Sequence, residues 1–460
     1  MYTILYVSNR VDSFRTHTLD AKTRYVHQGE NVTKRNSSRT RLPILLSGVA
    51  TATLLLSGCT GNGSEENDAA AVADDTGNGS EENDAAAVAD DSAVQAGACG
   101  SIPEMAPNDP SALLGEMSEE VQAAYQGYPY EVKKSQWEDW KPDHDGPYTA
   151  AMVTDPPTNP FQVALYESMR NTLAENDVEL IAEYAPASHA DVPQQLQQFE
   201  EAISQDPDII FFLPLAPDST LDALAGAADA GIPVVIFQVP VDSEHAVSVS
   251  LNPVLQAAET GASVFSSMGG EGAILRVLGV PGNSTDTFAT MGYDAALEQC
   301  PDITVAGEVT GTFEPGTAQA ETLNFLSSNP TPVTGVVQSG TMGVGVLQAF
   351  LDSGRDPVPI ADIGATQGFV SWAIQNPEYP YTGSVSPASR MGEVYANVGI
   401  RMLNGDGPKV NQMITAAQIL DSENIVELGD DSWEITDQSL FDGDPEAFFP
   451  EEHLDELFTN

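Results

Sequence analysis

From Tyr148 onward, short β-branched and aromatic runs alternate with longer stretches whose apolar residues recur every three or four positions. Ala150–Thr154 reads as a strand. Phe161 to Asn176 follows, with Val163, Leu165, Met169 and Leu173 on one side, and this spacing predicts a helix. Val178–Tyr184 and Val192–Ser204 repeat the strand–helix pair. The run Asp208-Ile-Ile-Phe-Phe-Leu213 carries no polar alternation, so it predicts a strand covered on both faces, as in the middle of a parallel sheet. Helix Leu221–Ala230 stops at Gly231, a residue suited to the left-handed position past a helix end, and Pro233 opens strand Val234–Phe237.

After a short strand at Val247–Val249 the alternation resumes. Helices Leu255–Met268, Asp286–Glu298, Thr317–Ser327 and Val344–Leu351 interleave with strands Ala273–Leu278, Val305–Val309, Val333–Val337 and Pro359–Ile363. Two successive βα series predict an α/β protein of two doubly wound parallel-sheet lobes. In such sheets ligands sit beyond the carboxyl ends of the strands, so two facing lobes make a cleft.

The N-terminal pattern is different. Lys34, Arg35, Arg39 and Arg41 precede the apolar run Leu42–Leu56, and Leu56-Ser57-Gly58-Cys59 follows. This is the layout of a secretory signal, and it resembles the lipobox of bacterial lipoproteins, which implies acylation of Cys59. Residues 1–33 read as an upstream extension or a mis-assigned start, and 34–58 as the signal. Thr60–Asp75 is repeated without change at Thr76–Asp91; Gly, Ser, Asn and acids of this kind cannot bury a core, so 59–99 reads as a disordered acidic tether. The whole chain of 460 residues has 17 Lys+Arg against 68 Asp+Glu, a formal net charge of -51. Such a surface repels nucleic acid and anionic headgroups and excludes DNA binding. It suits salty surroundings or ordinary extracellular acidity equally.

The stretch from about Tyr148 to Leu420 resembles the periplasmic sugar-binding family of ribose-, galactose- and xylose-type receptors. The residues that carry the resemblance are Thr158-Asn159-Pro160-Phe161 after the first strand, Asp208 to Pro214, Ala230-Gly-Ile-Pro-Val-Val235, Gly282 to Tyr293, and Pro380 to Ser386 before helix Arg390–Leu403. The resemblance implies a type I periplasmic binding fold, with lobe 1 at 148–250 plus 388–412 and lobe 2 at 251–387 plus 413–428. It implies three hinge crossings, near 248–253, 384–388 and 411–415. Residues 100–147 form a leader expected to pack on the lobes, and 429–460 an acidic tail, partly tucked down by Trp433, Phe441, Phe448 and Phe449. The implied partners are a small sugar-like solute, the permease subunits of an ABC importer, and the membrane through the lipid; a monomer is expected and no cofactor.

By the family's pattern Asn159, Phe161 and Gln162 line the cleft from lobe 1, with Gln238 where an Asp is usual and Val239 where an Arg is common. Asn252 joins them at the first hinge. From lobe 2 come Phe313, Thr287 in place of an Arg, Ser339, and Gln367 in the turn Ala365-Thr366-Gln367; Ser386 stands at the hinge position. Aromatic faces stack on sugar C–H surfaces and amides or hydroxyls share hydrogen bonds with its hydroxyls. None of these positions carries a Lys, Arg or carboxylate, which suits a neutral solute. Each has a plainer reading too: Phe161 and Phe313 as packing residues, Gln238 and Ser386 as satisfied loop polars.

Nothing in the sequence asks for catalysis. His144, His189, His245 and His453 show no helix-spaced pair, and Gly279-Val-Pro-Gly282 lacks the Lys-Ser/Thr of a phosphate loop, so neither enzyme nor metal site is expected. With Cys59 lipidated, Cys99 and Cys300 remain as a disulfide or as two unpaired thiols. An importer receptor, a sensor that presents its closed form to a signalling receptor, and an exported α/β enzyme are the competing functions, the first favoured and the last least.

Overall fold

The computed structural model describes residues 99–158, 160–280 and 282–460. The signal segment, Cys59, the acidic repeats and Asn159 lie outside the described residues. In chain order the leader contributes a short helix α1 (Glu119–Ala124), and the body opens with β1 (Tyr148–Val153), α2 (Pro160–Glu175), β2 (Val178–Tyr184), α3 (Val192–Ser204), β3 (Ile209–Phe212), α4 (Leu221–Asp229), β4 (Val234–Phe237) and β5 (Val247–Leu251). The second series is α5 (Pro253–Ser267), β6 (Glu271–Leu278), α6 (Ser284–Leu297), β7 (Asp302–Thr310), α7 (Pro315–Ser328), β8 (Gly335–Gln338), α8 (Gly343–Asp352), β9 (Ala361–Ile363), α9 (Gln367–Gln375) and β10 (Thr382–Ser384). Helix α10 (Ala388–Leu403), β11 (Gln412–Thr415) and β12 (Ile419–Asp421) return the chain.

The first sheet has six strands in the order β11-β5-β4-β3-β1-β2, and its pairs are parallel. In β3, Ile209 and Phe211 enter one core while Ile210 and Phe212 enter the core on the opposite face, all four fully buried. Both faces being apolar is why the run shows no polar alternation. The second lobe repeats the plan. Strands β7-β6-β8 pair in parallel, a single parallel bridge from Val336 to Ile360 continues the layer, and β9-β10-β12 complete it with β12 antiparallel. The two doubly wound lobes agree with the fold the sequence predicts.

The chain passes between lobes at 251–253, at 384–388 and between Thr415 and Ile419. The last crossing lies beyond the expected 411–415, because Gln412–Thr415 is itself a strand of the first sheet, paired with Ser248–Leu251. Residues 413–415 therefore belong with lobe 1. Helix α10 packs on α2, and Gly392 permits it: a Cβ there would stand 2.3 Å from the Leu165 carbonyl oxygen.

The leader and the tail join these cores. Leu114, Val121, Tyr125, Tyr128 and Val132 are buried in lobe 1, and Cys99 forms a disulfide with Cys300 in lobe 2. Phe441 packs into lobe 2, whereas Phe448, Phe449, Leu457 and Phe458 are buried in lobe 1.

Candidate functional site

The carboxyl ends of β1 and β4 build the lobe 1 wall. Asp155 follows β1 and is only 8% exposed. Its carboxylate accepts hydrogen bonds from the Gln162 amide nitrogen and the Tyr166 hydroxyl, and pairs with His189 Nε2 at 3.2 Å. Burial raises its pKa, against the pull of Tyr166, His189 and Gln162. Gln162 Oε1 in turn accepts the Thr158 amide at 3.0 Å. Gln162 is thus buried and engaged at both ends of its amide, and it holds the β1–α2 loop in shape. Phe161 is half-buried against the lobe 1 core.

Gln238 follows β4 in the left-handed region, φ 66°, which a non-glycine residue adopts at a cost. Its amide N–H donates to the Val249 carbonyl at 3.1 Å, and its side-chain Oε1 is buried with no hydrogen-bond partner. A strained residue with an unmet acceptor at a strand end is where a solute donor would be welcome. Val239 beside it packs on the lobe 1 core.

In lobe 2 the corresponding loops follow β6, β7, β8 and β9. Asp286, in the first turn of α6, is 6% exposed and accepts the Gly279 amide at 2.7 Å through Oδ1. Burial raises its pKa; Ser339 and the Gly279 amide oppose the rise. Its Oδ2 is buried without a partner. Phe313 has φ 58°, and its ring lies over Gly279: a Cβ on that glycine would meet Phe313 Cζ at 2.0 Å. Thr341 Oγ donates to the Phe313 carbonyl at 3.0 Å, which holds the turn. Gln338, at the end of β8, accepts the Gly340 amide at 2.6 Å and donates to the Ile363 carbonyl at 2.8 Å, so it fixes the neighbouring Ser339.

The remaining expected site residues are placed as follows. Asn252 is fully buried: Oδ1 accepts the Val254 and Leu255 amides at 3.1 Å, and Nδ2 donates to the Ala124 and Gln126 carbonyls at 2.8 Å. It caps α5 and holds the leader, with nothing left for a solute. Thr287 is exposed and turns its hydroxyl back to the Asn283 carbonyl at 3.2 Å. The Gln367 backbone N–H donates to the Ser439 carbonyl of the tail at 2.9 Å. Ser386 is half-buried in the crossing between β10 and α10. Asp155 and Asp286 are buried carboxylates close to the expected positions, none of which itself carries one. The sequence holds both acids next to the predicted positions, but among 68 acids only burial distinguishes them.

Residues 150–407 match the family model described as a periplasmic binding protein domain. The chain belongs to that family. Membership agrees with a binding protein and not an enzyme. A xylitol-binding protein of Mycolicibacterium smegmatis is 31% identical over 199 residues, 43% of this chain and 56% of the relative. A putative rhizopine-binding protein of Rhizobium meliloti is 27% identical over 185 residues, 38% of this chain and 60% of the relative. The matches thus span little more than half of these relatives' length. Among solved structures, an ABC transporter solute-binding protein of Bacillus halodurans with bound myo-inositol superposes with a TM-score of 0.55 at 23% identity, covering 62% of this chain and 98% of that one. One from Mycobacterium smegmatis with bound glycerol gives 0.55 at 20%, with the same coverage. These likenesses show the fold.

Proposed function

We propose that this family member is an extracytoplasmic receptor, anchored by lipid on Cys59, that closes its two lobes around a neutral sugar or polyol and delivers it to an ABC importer. The carrying observation is what the strand ends of the two lobes hold: Gln238 with an unmet amide oxygen in lobe 1, and Phe313 flat over Gly279 in lobe 2, with Ser339 at the end of the neighbouring strand. One aromatic face and several planar or hydroxyl groups, with no Lys or Arg among these residues, suit a small molecule that presents C–H surface and hydroxyls. Xylitol, myo-inositol and glycerol, the compounds named for similar proteins, share that chemistry. Asp155 and Asp286 add buried acceptors beneath the loops and disfavour an anionic solute.

Closure is a hinge rotation, and the ligand stabilises the closed form by binding it better than the open one. The acidic repeats between Cys59 and the leader act as a tether that keeps the receptor close to the membrane permease. Titration of the full chain with xylitol, myo-inositol, ribose and glycerol by calorimetry tests the solute. Saturable heat with one of them supports the reading, and silence with all four removes the sugar and polyol class. Anchoring is tested separately: Cys59→Ser should move the protein from the membrane fraction to the soluble one.

A further inference from the structure

The three hinge segments are not the only connections between the lobes. The leader starts on lobe 2, where Cys99 is bonded to Cys300 and Gly100 lies against Ser266, at the end of α5. By Met105 it is already tied to the part of the leader seated on lobe 1: the Gly127 amide donates to the Met105 carbonyl at 3.1 Å. From there Tyr125 and Tyr128 are sunk in the lobe 1 core, and Tyr130 leans back to meet Phe288 of lobe 2, ring centroids 5.6 Å apart. The tail makes the same journey. Ser371 Oγ donates to the Trp433 carbonyl at 2.8 Å and the Phe441 amide to the Ala365 carbonyl at 2.8 Å, both on lobe 2; Phe448 is then buried in lobe 1 against Tyr395, with Phe449 packed on Phe448.

Leader and tail meet over β11, the last hinge strand. The Tyr125 hydroxyl donates to the Gln412 carbonyl at 2.7 Å and accepts the Ile414 amide at 3.2 Å, while His453 Nε2 donates to the Ile414 carbonyl at 2.9 Å. The Ser118 amide of the leader donates to Glu456 of the tail at 2.6 Å.

We infer that the leader and the tail are two straps across the hinge, and that the Cys99–Cys300 disulfide makes the leader a stop that limits how far the lobes open. The slack is short. From Gly100 on lobe 2 to Met105 on lobe 1 the chain takes five residue steps, which reach about 18 Å when fully extended. Without the disulfide, Cys99 and Gly100 can leave lobe 2 and the stop is lost; with it, opening beyond that reach requires the leader to be torn from its buried seat. The tail, with seven steps from Phe441 to Phe448, reaches about 25 Å and engages later. A receptor so restrained exchanges its solute through a narrow opening.

The inference rests on the lobes moving as the proposed receptor requires, but its test needs no solute, so the two fail separately. Dyes are attached through noncanonical amino acids at Glu200 on α3 and Glu321 on α7, both exposed, in the full chain with its cysteines untouched. Single-molecule energy transfer then reads the interlobe separation. The oxidised protein should show a narrow distribution, and reduction of the disulfide a broader one extending to longer separations. Because reduction can also loosen the fold, a second variant keeps the disulfide and inserts eight Gly/Ser residues between Pro103 and Glu104; it should broaden the distribution in the same direction. Unchanged distributions in both the reduced protein and the insertion variant would overturn the inference. Broadening on reduction without broadening on insertion would overturn it too, since the effect would then be local unfolding around Cys300.

Discussion

Replacing Tyr125 by Phe removes one oxygen atom from the leader and should cost far more than its size suggests. Strand β11 is the edge of the first sheet, so one side of its backbone has no strand partner. The Tyr125 hydroxyl substitutes for one, donating to Gln412 O and accepting from Ile414 N in a place without solvent exposure. The Phe variant leaves a carbonyl and an amide unpaired together, and each buried orphan costs about 1–3 kcal/mol. Some relaxation is expected, so the net loss should be about 2–4 kcal/mol. Tyr128→Phe unpairs only the Gln412 side-chain oxygen, bonded at 2.7 Å, and should lose about 1 kcal/mol. Tyr130→Phe, at a half-buried residue, is the control and should lose almost nothing. Urea unfolding followed by tryptophan fluorescence gives the three values from midpoints at constant slope. If Tyr125→Phe falls within error of the Tyr130 control, the leader is not part of the hinge structure and the reasoning fails.

Gly279→Ala should push the Phe313 ring out of place, because the new methyl would sit 2.0 Å from Phe313 Cζ; solute affinity should drop about tenfold, read by calorimetry. Gln238→Ala should weaken solute binding by a similar factor while leaving the unfolding midpoint nearly unchanged, since its side-chain oxygen has no partner to lose in the free protein; a large stability loss would mark it as a structural residue. Asp362 is fully buried on β9, bonded through Oδ2 to the Tyr381 hydroxyl at 2.8 Å with Oδ1 unpaired, and burial pushes its pKa from 3.8 up to about 7. The folded state therefore holds this proton more tightly than the unfolded chain, and stability should fall as pH rises from about 4 to 7, by at most about 4 kcal/mol, then level off. In Asp362→Asn that part of the slope should vanish; equal slopes for both proteins between pH 4 and 7 would refute the assignment.

The lobes were legible because their cause is local. Each central strand is apolar on both faces, as Ile209 to Phe212 show, and each helix stop has its own signal, as at Gly231. The site was less legible, for a physical reason. Asp155 is singled out by Tyr166, Gln162 and His189, the last 34 positions away, and the charge-rich composition hides such a carboxylate among many. Asn252 carried a readable signal that was given the wrong meaning: Asn followed by Pro253 is a cap and first turn, and the cap is what its side chain makes. Strand β11 is only four residues long, and its place in the first sheet depends on Ser248–Leu251, far away in sequence. The aromatic residues of the tail announced burial, but no pattern within the tail says that Phe441 and Phe448 go to different lobes.

The central claim, a receptor for a neutral sugar or polyol, is tested most directly by thermal unfolding of the full chain against a panel of such compounds. A ligand that binds only the folded form adds about 2.7 kcal/mol at a hundred times its dissociation constant, a plainly visible rise in midpoint. The account predicts such a rise with at least one neutral polyhydroxy compound, recovered chemically unchanged afterwards. No rise with any member of the panel, or conversion of the compound that causes one, would contradict it.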